Sequence, residues 1–387
     1  MKKVRLGDIC TVVSGTTPKS HVDEYWNGDK VWITPAEINE DTLVVTDSVR
    51  HISESAVKDS SLKSFPKGTV ILSSRAPIGK MAIAGCEMYC NQGFKNLICS
   101  EKINNLYLLY FLRSRKNYLN SLGRGATFKE ISKGIVENIK VPLPSMDTQI
   151  QIGNRIRTIE KLIGLRKKQL FLLDDLIKSR FVEMFGDPGN YNRVKDNMTK
   201  LGNCCQINPP KNLDLLTHRN LKVSFIPMSA ISENGNVDYS MTKFYAQVDK
   251  GFTNFIDNDV LFAKITPCME NGKGAVVTGL CNGIGFGSTE FHVLRAIPGL
   301  SNPYWIYVLT TFSIFRKAAA IHMTGSAGQR RTPASFLYNY QVVLPSFDRQ
   351  NEFGRFFLKI DKSKLAVQKS LEELEKLKNS LMQQYFD

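Results

Sequence analysis

The chain has 387 residues, 42% hydrophobic and 22% charged, with a formal net charge of +15. That composition is ordinary for a soluble globular protein of two or three domains. It excludes a transmembrane helix, since no run of about eighteen apolar residues occurs. Met1–Asp8 lacks the apolar core of a secretory leader. A basic excess of this size attracts polyanions, nucleic acid first among them. The eight cysteines (10, 86, 90, 99, 204, 205, 268 and 281) form no CxxC pair and no zinc spacing with the five histidines. They read as reduced, mostly buried thiols of a cytoplasmic protein.

A first globule spans about residues 1–140. Its short β signals fall at Val4–Val13, Val31–Ile33, Thr69–Ser73, Met81–Ala84 and Leu97–Cys99, punctuated by glycine and proline. Tyr107–Arg115 has the pattern of an amphipathic helix, with Asn105 ahead of it as N-cap. The expected globule is α+β. A long heptad pattern follows, and then the order begins again.

Val141-Pro142-Leu143-Pro144-Ser145-Met146-Asp147-Thr148-Gln149 returns as Val342-Val343-Leu344-Pro345-Ser346-Phe347-Asp348-Arg349-Gln350. Within a second globule, about 188–341, Lys200-Leu201-Gly202-Asn203 matches Arg5-Leu6-Gly7-Asp8. Phe225-Ile226-Pro227 likewise matches Trp32-Ile33-Thr34. The hydrophobic skeleton is shared and the loop residues differ, which predicts two similar sites with different targets. Residues 1–140 hold 20 basic and 14 acidic side chains, and residues 188–341 hold 15 and 9, so each globule carries +6. The heptad segments add only +3.

The first heptad seam runs through Ile152, Ile156, Ile159, Ile163, Arg166, Leu170, Leu173, Ile177, Arg180 and Met184. The second lies 201 residues on, at Phe353, Phe357, Ile360, Lys364, Val367, Leu371, Leu374, Lys378, Leu381 and Tyr385. Seams of this length predict a coiled coil, each helix packing antiparallel on the other. At about 1.5 Å per residue, such a helix is a rod of roughly 55 Å. A paired rod would act as a spacer, and would predict a bipartite recognition sequence with a fixed, unread gap.

Catalytic signatures are scarce. Asn208-Pro209-Pro210-Lys211 is similar to the Asn-Pro-Pro-aromatic motif of adenine methyltransferases. Lys211, however, stands where that motif needs an aromatic to stack on the flipped base, and no glycine-rich cofactor loop accompanies it. Gly283-Ile284-Gly285-Phe286-Gly287 leads into a strand pattern at Ser288–Leu294, which fails the dinucleotide requirement for a helix. No Walker loop and no metal-nuclease carboxylate cluster is found. No catalytic residue, metal or cofactor is therefore expected in this chain.

Candidate DNA contacts are better supported. Base reading calls for Arg or Lys at guanine and Asn or Gln at adenine; phosphates take cations, small hydroxyls and backbone amides. In the first globule the candidates are Thr17 and Lys19, Arg75, Gln92 and Lys95, then Arg124, Thr127 and Lys129. In the second they are Lys264 and Thr266, Asn271 and Lys273, Ser288 and Thr289, and Arg330 and Arg331. Glu290 is placed either to accept from a cytosine amino group or to brace a neighbouring arginine.

Several features together resemble the specificity subunit (HsdS) of type I restriction-modification systems, over nearly the whole chain. They are the duplicated plan, the Leu-Pro-Ser-x-Asp-x-Gln lead into each helix, Phe185-Gly186-Asp187, and the stretch from Phe262 to Gly274. The resemblance implies target-recognition domains at 1–144 and 188–345, and helical regions at 145–187 and 346–387. It implies an α+β fold: two similar α/β domains separated by two long helices in an antiparallel coiled coil, with pseudo-twofold symmetry. It further implies a non-catalytic reader of double-stranded DNA with no membrane partner. Two modification subunits would methylate adenine N6 with S-adenosylmethionine, and two restriction subunits would use ATP and Mg. The alternative readings are a single-chain DNA methyltransferase or nuclease, and a coiled-coil scaffold. The missing cofactor loop speaks against the first, and two equally basic globules against the second.

Overall fold

The computed structural model describes residues 3–124, 129–190, 198–211, 220–326 and 328–386. The chain forms two compact units, one of residues 1–167 with 369–387, the other of residues 168–368.

Unit 1 begins with β1 (Lys3–Arg5) and β2 (Cys10–Ser14), where the sequence pattern predicts one strand from Val4 to Val13. A short 3-10 turn at Leu6–Asp8 separates them, with Leu6 fully buried. There follow β3 (Lys30–Ile33), β4 (Val44–Val45), β5 (Arg50–Ile52), α1 (Glu54–Asp59), β6 (Val70–Leu72), β7 (Met81–Ala84), β8 (Tyr89–Cys90) and β9 (Lys95–Cys99). Helices α2 (Asn105–Ser114), α3 (Lys116–Leu122) and α4 (Lys133–Glu137), then β10 (Lys140–Pro142), lead into the long α5 (Met146–Phe185). One sheet has the order β2-β9-β6-β7-β4, a smaller one β5-β3-β8, and β1 pairs with β10. Successive side chains of a strand face opposite sides. Val70 and Leu72 accordingly join a core with Tyr107–Leu112 of α2, while Ile71 joins Ile33, Phe65 and Phe94 on the other face. The cap of α2 is Asn104, whose side chain accepts from the amides of Leu106 and Tyr107. Asn105, the expected cap, instead donates from Nδ2 to the Gly68 carbonyl at 3.0 Å.

Unit 2 repeats this order. It contains β11 (Met198–Lys200), α6 (Leu201–Cys204), β12 (Cys205–Ile207), β13 (Lys222–Ile226), β14 (Thr242–Phe244), α7 (Tyr245–Val248), β15 (Thr253–Ile256), β16 (Asp259–Ala263), β17 (Gly274–Val276), β18 (Ile284–Gly287) and β19 (Phe291–Ala296). Helices α8 (Pro303–Thr311), α9 (Ser313–Ile321) and α10 (Ala334–Asn339), then β20 (Gln341–Val343), lead into α11 (Phe347–Phe386). The sheets are β12-β19-β16-β17, β14-β13-β18-β15 and the pair β11-β20. Strand by strand, β12-β19-β16-β17 matches β2-β9-β6-β7 and β14-β13-β18 matches β5-β3-β8, while β4 and β15 are not matched. All eight cysteines are free; Cys10, Cys90, Cys204 and Cys205 are buried and the other four half-buried.

The long helices pair antiparallel inside each unit. In unit 1, Glu160 meets Lys378 at 2.6 Å and Arg155 meets Tyr385 at 3.1 Å. In unit 2, Asp174 meets Lys364 at 2.6 Å and Arg180 meets Glu352 at 3.1 Å. Every heptad position is buried or half-buried. Lys364, Lys378 and Arg180 are basic residues in apolar seams, and each finds a carboxylate on the facing helix. Charged seam residues of this kind select one register, because any other would strand them.

The repeated lead into each helix has a structural reason. Gln149 is 1% exposed. Its Oε1 accepts from the Asn104 amide at 2.8 Å, and its Nε2 donates to the carbonyls of Lys102 and Pro144 at 3.1 and 3.0 Å. Gln350 does the same with the Asn302 amide (2.9 Å) and the carbonyls of Leu300 (3.1 Å) and Pro345 (2.8 Å). Each glutamine ties the start of a long helix to the capped start of α2 or α8.

Candidate nucleic-acid interface

In unit 1 most of the candidate residues lie on loops joined edge to edge. The loop after β2 is fixed by two indoles: Trp32 Nε1 donates to the Thr16 carbonyl at 3.2 Å, and Trp26 Nε1 to the Lys19 carbonyl at 3.3 Å. Gly15 is required there, since a Cβ would lie 2.1 Å from the Asn91 carbonyl oxygen. Thr17 hydrogen-bonds Gln92 on the neighbouring loop. The Gly93 carbonyl of that loop accepts from Ser74, beside Arg75. Arg75 Nε reaches Glu130 Oε2 at 2.8 Å, and the backbone of Glu130 pairs with that of Arg124. Thr17, Lys19, Arg75, Gln92, Arg124 and Lys129 are exposed. Thr127 lies outside the described residues.

Lys95 differs from its expectation as an open donor. It is 7% exposed, and its Nζ binds Glu130 Oε1 at 3.0 Å. The reason is its position on the interior strand β9, where a long cation enters the core side and needs a carboxylate.

Unit 2 builds the equivalent place with reversed charge. The Thr332 amide donates to the Lys264 carbonyl as the Ile131 amide does to the Ser74 carbonyl. Arg331 therefore stands where Glu130 stands in unit 1. Its Nε and Nη2 form a two-bond fork on Glu290, at 3.0 and 2.8 Å, so Glu290 braces an arginine. The Thr266 hydroxyl donates to the Arg330 carbonyl at 3.2 Å, which leaves its oxygen able to accept. Ser288 Oγ accepts the Glu290 amide, and Thr289 is exposed.

Three further candidates have partners within the unit. Arg330 turns inward: its Nη2 donates to the carbonyls of Ala320 and Met323, closing the C-terminal end of α9. Lys273 is a strut, with Nζ donating to the Met228 carbonyl at 3.3 Å, just as Lys80 donates to the Pro35 carbonyl at 2.7 Å in unit 1. Asn271 donates to Glu233 at 2.8 Å in the wall of a cleft of about 510 Å³, with Tyr304, Tyr307, Arg316 and Asp361. The Asn208 side chain is likewise committed to structure, on His292 and the Val293 amide.

A feature of both units escaped the sequence reading. Trp26 and Trp32 pack edge to face at 5.0 Å, and the exposed Arg50 lies 3.5 Å over Trp26. In unit 2, Phe225 and Phe252 pack edge to face at 5.0 Å, and Lys243 lies 3.8 Å over Phe225. Each unit thus holds a cation on an aromatic pair at the sheet that contains β3 or β13. Pairing between β3 and β5, and between β13 and β14, brings the partners together; no local pattern announces it.

The titrations follow from these contacts. Burial pushes the His292 imidazole below its usual range. Its Nε2 faces the Thr332 carbonyl at 2.8 Å, which assigns the proton to that nitrogen and leaves Nδ1 to accept from Asn208. Hydrogen bonding from Arg331 holds Glu290 low. Burial alone would raise Glu130, but Arg75 and Lys95 carry it below its usual range. All three groups are depressed on folding, so their stabilisation is present above the unfolded values, about 6.5 for His and about 4.3 for Glu, and is lost as pH falls. Thermal unfolding should show the wild type losing stability between about pH 7 and about pH 5.5, and His292→Gln losing less over that window. Parallel pH profiles would contradict this account.

Among the described residues no helix is long and apolar enough to cross a membrane. Residues 1–172 match the family described as the type I restriction modification DNA specificity domain. The chain is 37% identical over 190 residues to the type I restriction enzyme MjaIX specificity subunit of Methanocaldococcus jannaschii, covering 48% of this chain and 44% of that protein. It is 40% identical over 131 residues to the EcoAI specificity subunit of Escherichia coli, covering 33% and 22%. The matches therefore span less than half the length of these two relatives. The MjaVIII specificity subunit of Methanocaldococcus jannaschii is 22% identical over 98% of this chain and 90% of its own length. The fold is similar to that of the type I restriction-modification S subunit from M. genitalium, with a TM-score of 0.62 at 13% identity, covering 100% and 96% of the two chains.

Proposed function

We propose that the chain belongs to the type I restriction-modification DNA specificity family and is the DNA-reading subunit of such a complex. The observation that carries the reading is the duplication: two units with the same strand order carry equivalent loop clusters of donors with different side chains. Each unit reads one half of a split site. Residues 1–144 and 188–345 are the recognition domains; the helical regions 145–187 and 346–387 set the gap and dock two modification subunits.

Catalysis belongs to the partners. The modification subunits transfer a methyl group from S-adenosylmethionine to adenine N6, and two restriction subunits use ATP and Mg to translocate and cleave, all in the cytoplasm. In unit 1, Thr17, Lys19, Arg75, Gln92, Arg124, Thr127 and Lys129 contact the DNA. In unit 2, Lys264, Thr266, Asn271, Ser288, Thr289 and Arg331 do so. With +6 on each globule, phosphate contacts contribute much of the affinity, which falls with salt by a logarithmic slope of roughly 0.9 per phosphate.

The test is co-expression with the cognate modification subunit and single-molecule sequencing of the host genome. One split motif, methylated on both strands across a constant gap, is expected; the purified chain alone transfers no methyl group. Methylation by the chain alone would establish the single-chain enzyme instead. A salt-insensitive chain that directs no methylation would establish the scaffold.

A further inference from the structure

We propose that Arg75 reads a guanine in the half-site of unit 1, with Glu130 as its positioning residue, and that unit 2 has no reader at the equivalent place. The inference deepens the proposed function and rests on it.

Arg75 leaves β6 on a turn tied from both sides. The amides of Ser74 and Arg75 donate to the Gly93 carbonyl at 2.7 and 3.4 Å. Ser73 Oγ donates to the Pro77 carbonyl at 2.8 Å and accepts the Lys80 amide at 2.8 Å. The Arg75 side chain is 44% exposed, and only its Nε is engaged among the described residues, on Glu130. The second oxygen of Glu130 is held by Lys95, whose side chain is 9% exposed. The brace is thus itself anchored in the core.

A guanidinium held through Nε presents its two terminal nitrogens as a planar fork. Guanine offers O6 and N7 in the major groove at the spacing such a fork takes. A phosphate also accepts such a fork, but lysine serves there as a point charge, so Arg75→Lys separates the two roles. Anchoring the plane beforehand removes the ordering cost from binding, which serves base reading above all.

In unit 2, Ile265 occupies the place of Arg75: its backbone pairs with Arg331 as that of Arg75 pairs with Glu130. The Ile265 side chain has no donor. Arg331 closes its own fork on Glu290, and its Nη1 donates to the Gln329 carbonyl. The two half-sites are therefore read by different chemistry at this point.

The experiment uses the full chain co-expressed with its modification subunit, with methylated adenines mapped genome-wide. In Arg75→Lys and Arg75→Ala, discrimination at one G·C position of one half-site should fall by about 10- to 100-fold. The other half-site and the gap should stay unchanged. Glu130→Gln should relax the same single position, whereas a purely structural role would lower methylation at all sites together. An unchanged motif in Arg75→Lys overturns the proposal. So does a uniform loss in Arg75→Ala with the salt slope reduced by about one, the mark of a phosphate contact. A wild-type complex that methylates no split motif overturns the proposed function and this inference together.

Discussion

Phe181→Ala is expected to destabilise unit 2 by about 3–5 kcal/mol, the range for removing a buried aromatic from a well-packed core. Phe181 is fully buried, with ring centroids of Phe185, Phe312 and Phe353 at 5.0, 5.2 and 5.4 Å. The cavity has little chance to close, because its walls are themselves interlocked rings on α5, on α11 and at the junction of α8 and α9. The heptad position 201 residues later is Met382, which is only half-buried in unit 1. Met382→Ala should therefore cost less, although both residues hold the same place in the repeat. Denaturant midpoints at constant slope measure both. A loss below about 1 kcal/mol for Phe181→Ala would show that the ring cluster is not a tight core.

Gln350→Ala should cost about 2–3 kcal/mol, because three hydrogen bonds to a fully buried amide disappear at once. The Asn302 amide and the carbonyls of Leu300 and Pro345 lose their partner. Gln350→Glu is the sharper variant. It keeps the acceptor for Asn302 and removes both donors, so two carbonyls then face a buried carboxylate. It should be at least as damaging as alanine. If both variants unfold like the wild type, the repeated glutamine does not tie the helix start to α8, and its recurrence needs another reason.

The two pairs of variants bear on function in different ways. The aromatic cluster and the glutamine clamps set how the long helices meet the globules. Under the proposed function, the loops at the Glu130 and Arg331 places set what each globule offers to DNA. One equivalent position of the same backbone frame carries opposite charges, Glu130 in unit 1 and Arg331 in unit 2. The frame is held by backbone hydrogen bonds and buried apolar side chains, so the loop side chains are free to vary.

The duplication, the two heptad seams and their common offset were legible in the sequence because they are periodic and local. A helix displays its apolar stripe every three to four residues regardless of its partner. The equal charge of the two globules was legible for the same reason, since it is a count. The candidate loops were legible in outline from glycine, hydroxyl and cation clusters. Which member of a cluster faces outward was settled only by tertiary structure. Lys95 and Arg75 share Glu130 across 35 and 55 residues of chain, and Arg331 finds Glu290 across 41. The Lys273 strut and the aromatic pair beneath Arg50 depend likewise on segments that lie apart in sequence, whereas Arg330 turns in on carbonyls 7 and 10 residues away. The capping by Asn104 in place of Asn105 turned on backbone geometry that two neighbouring asparagines do not reveal. Sequence carries periodicity and composition directly; the pairing of charges arises only when sheet registers bring distant side chains within hydrogen-bonding reach.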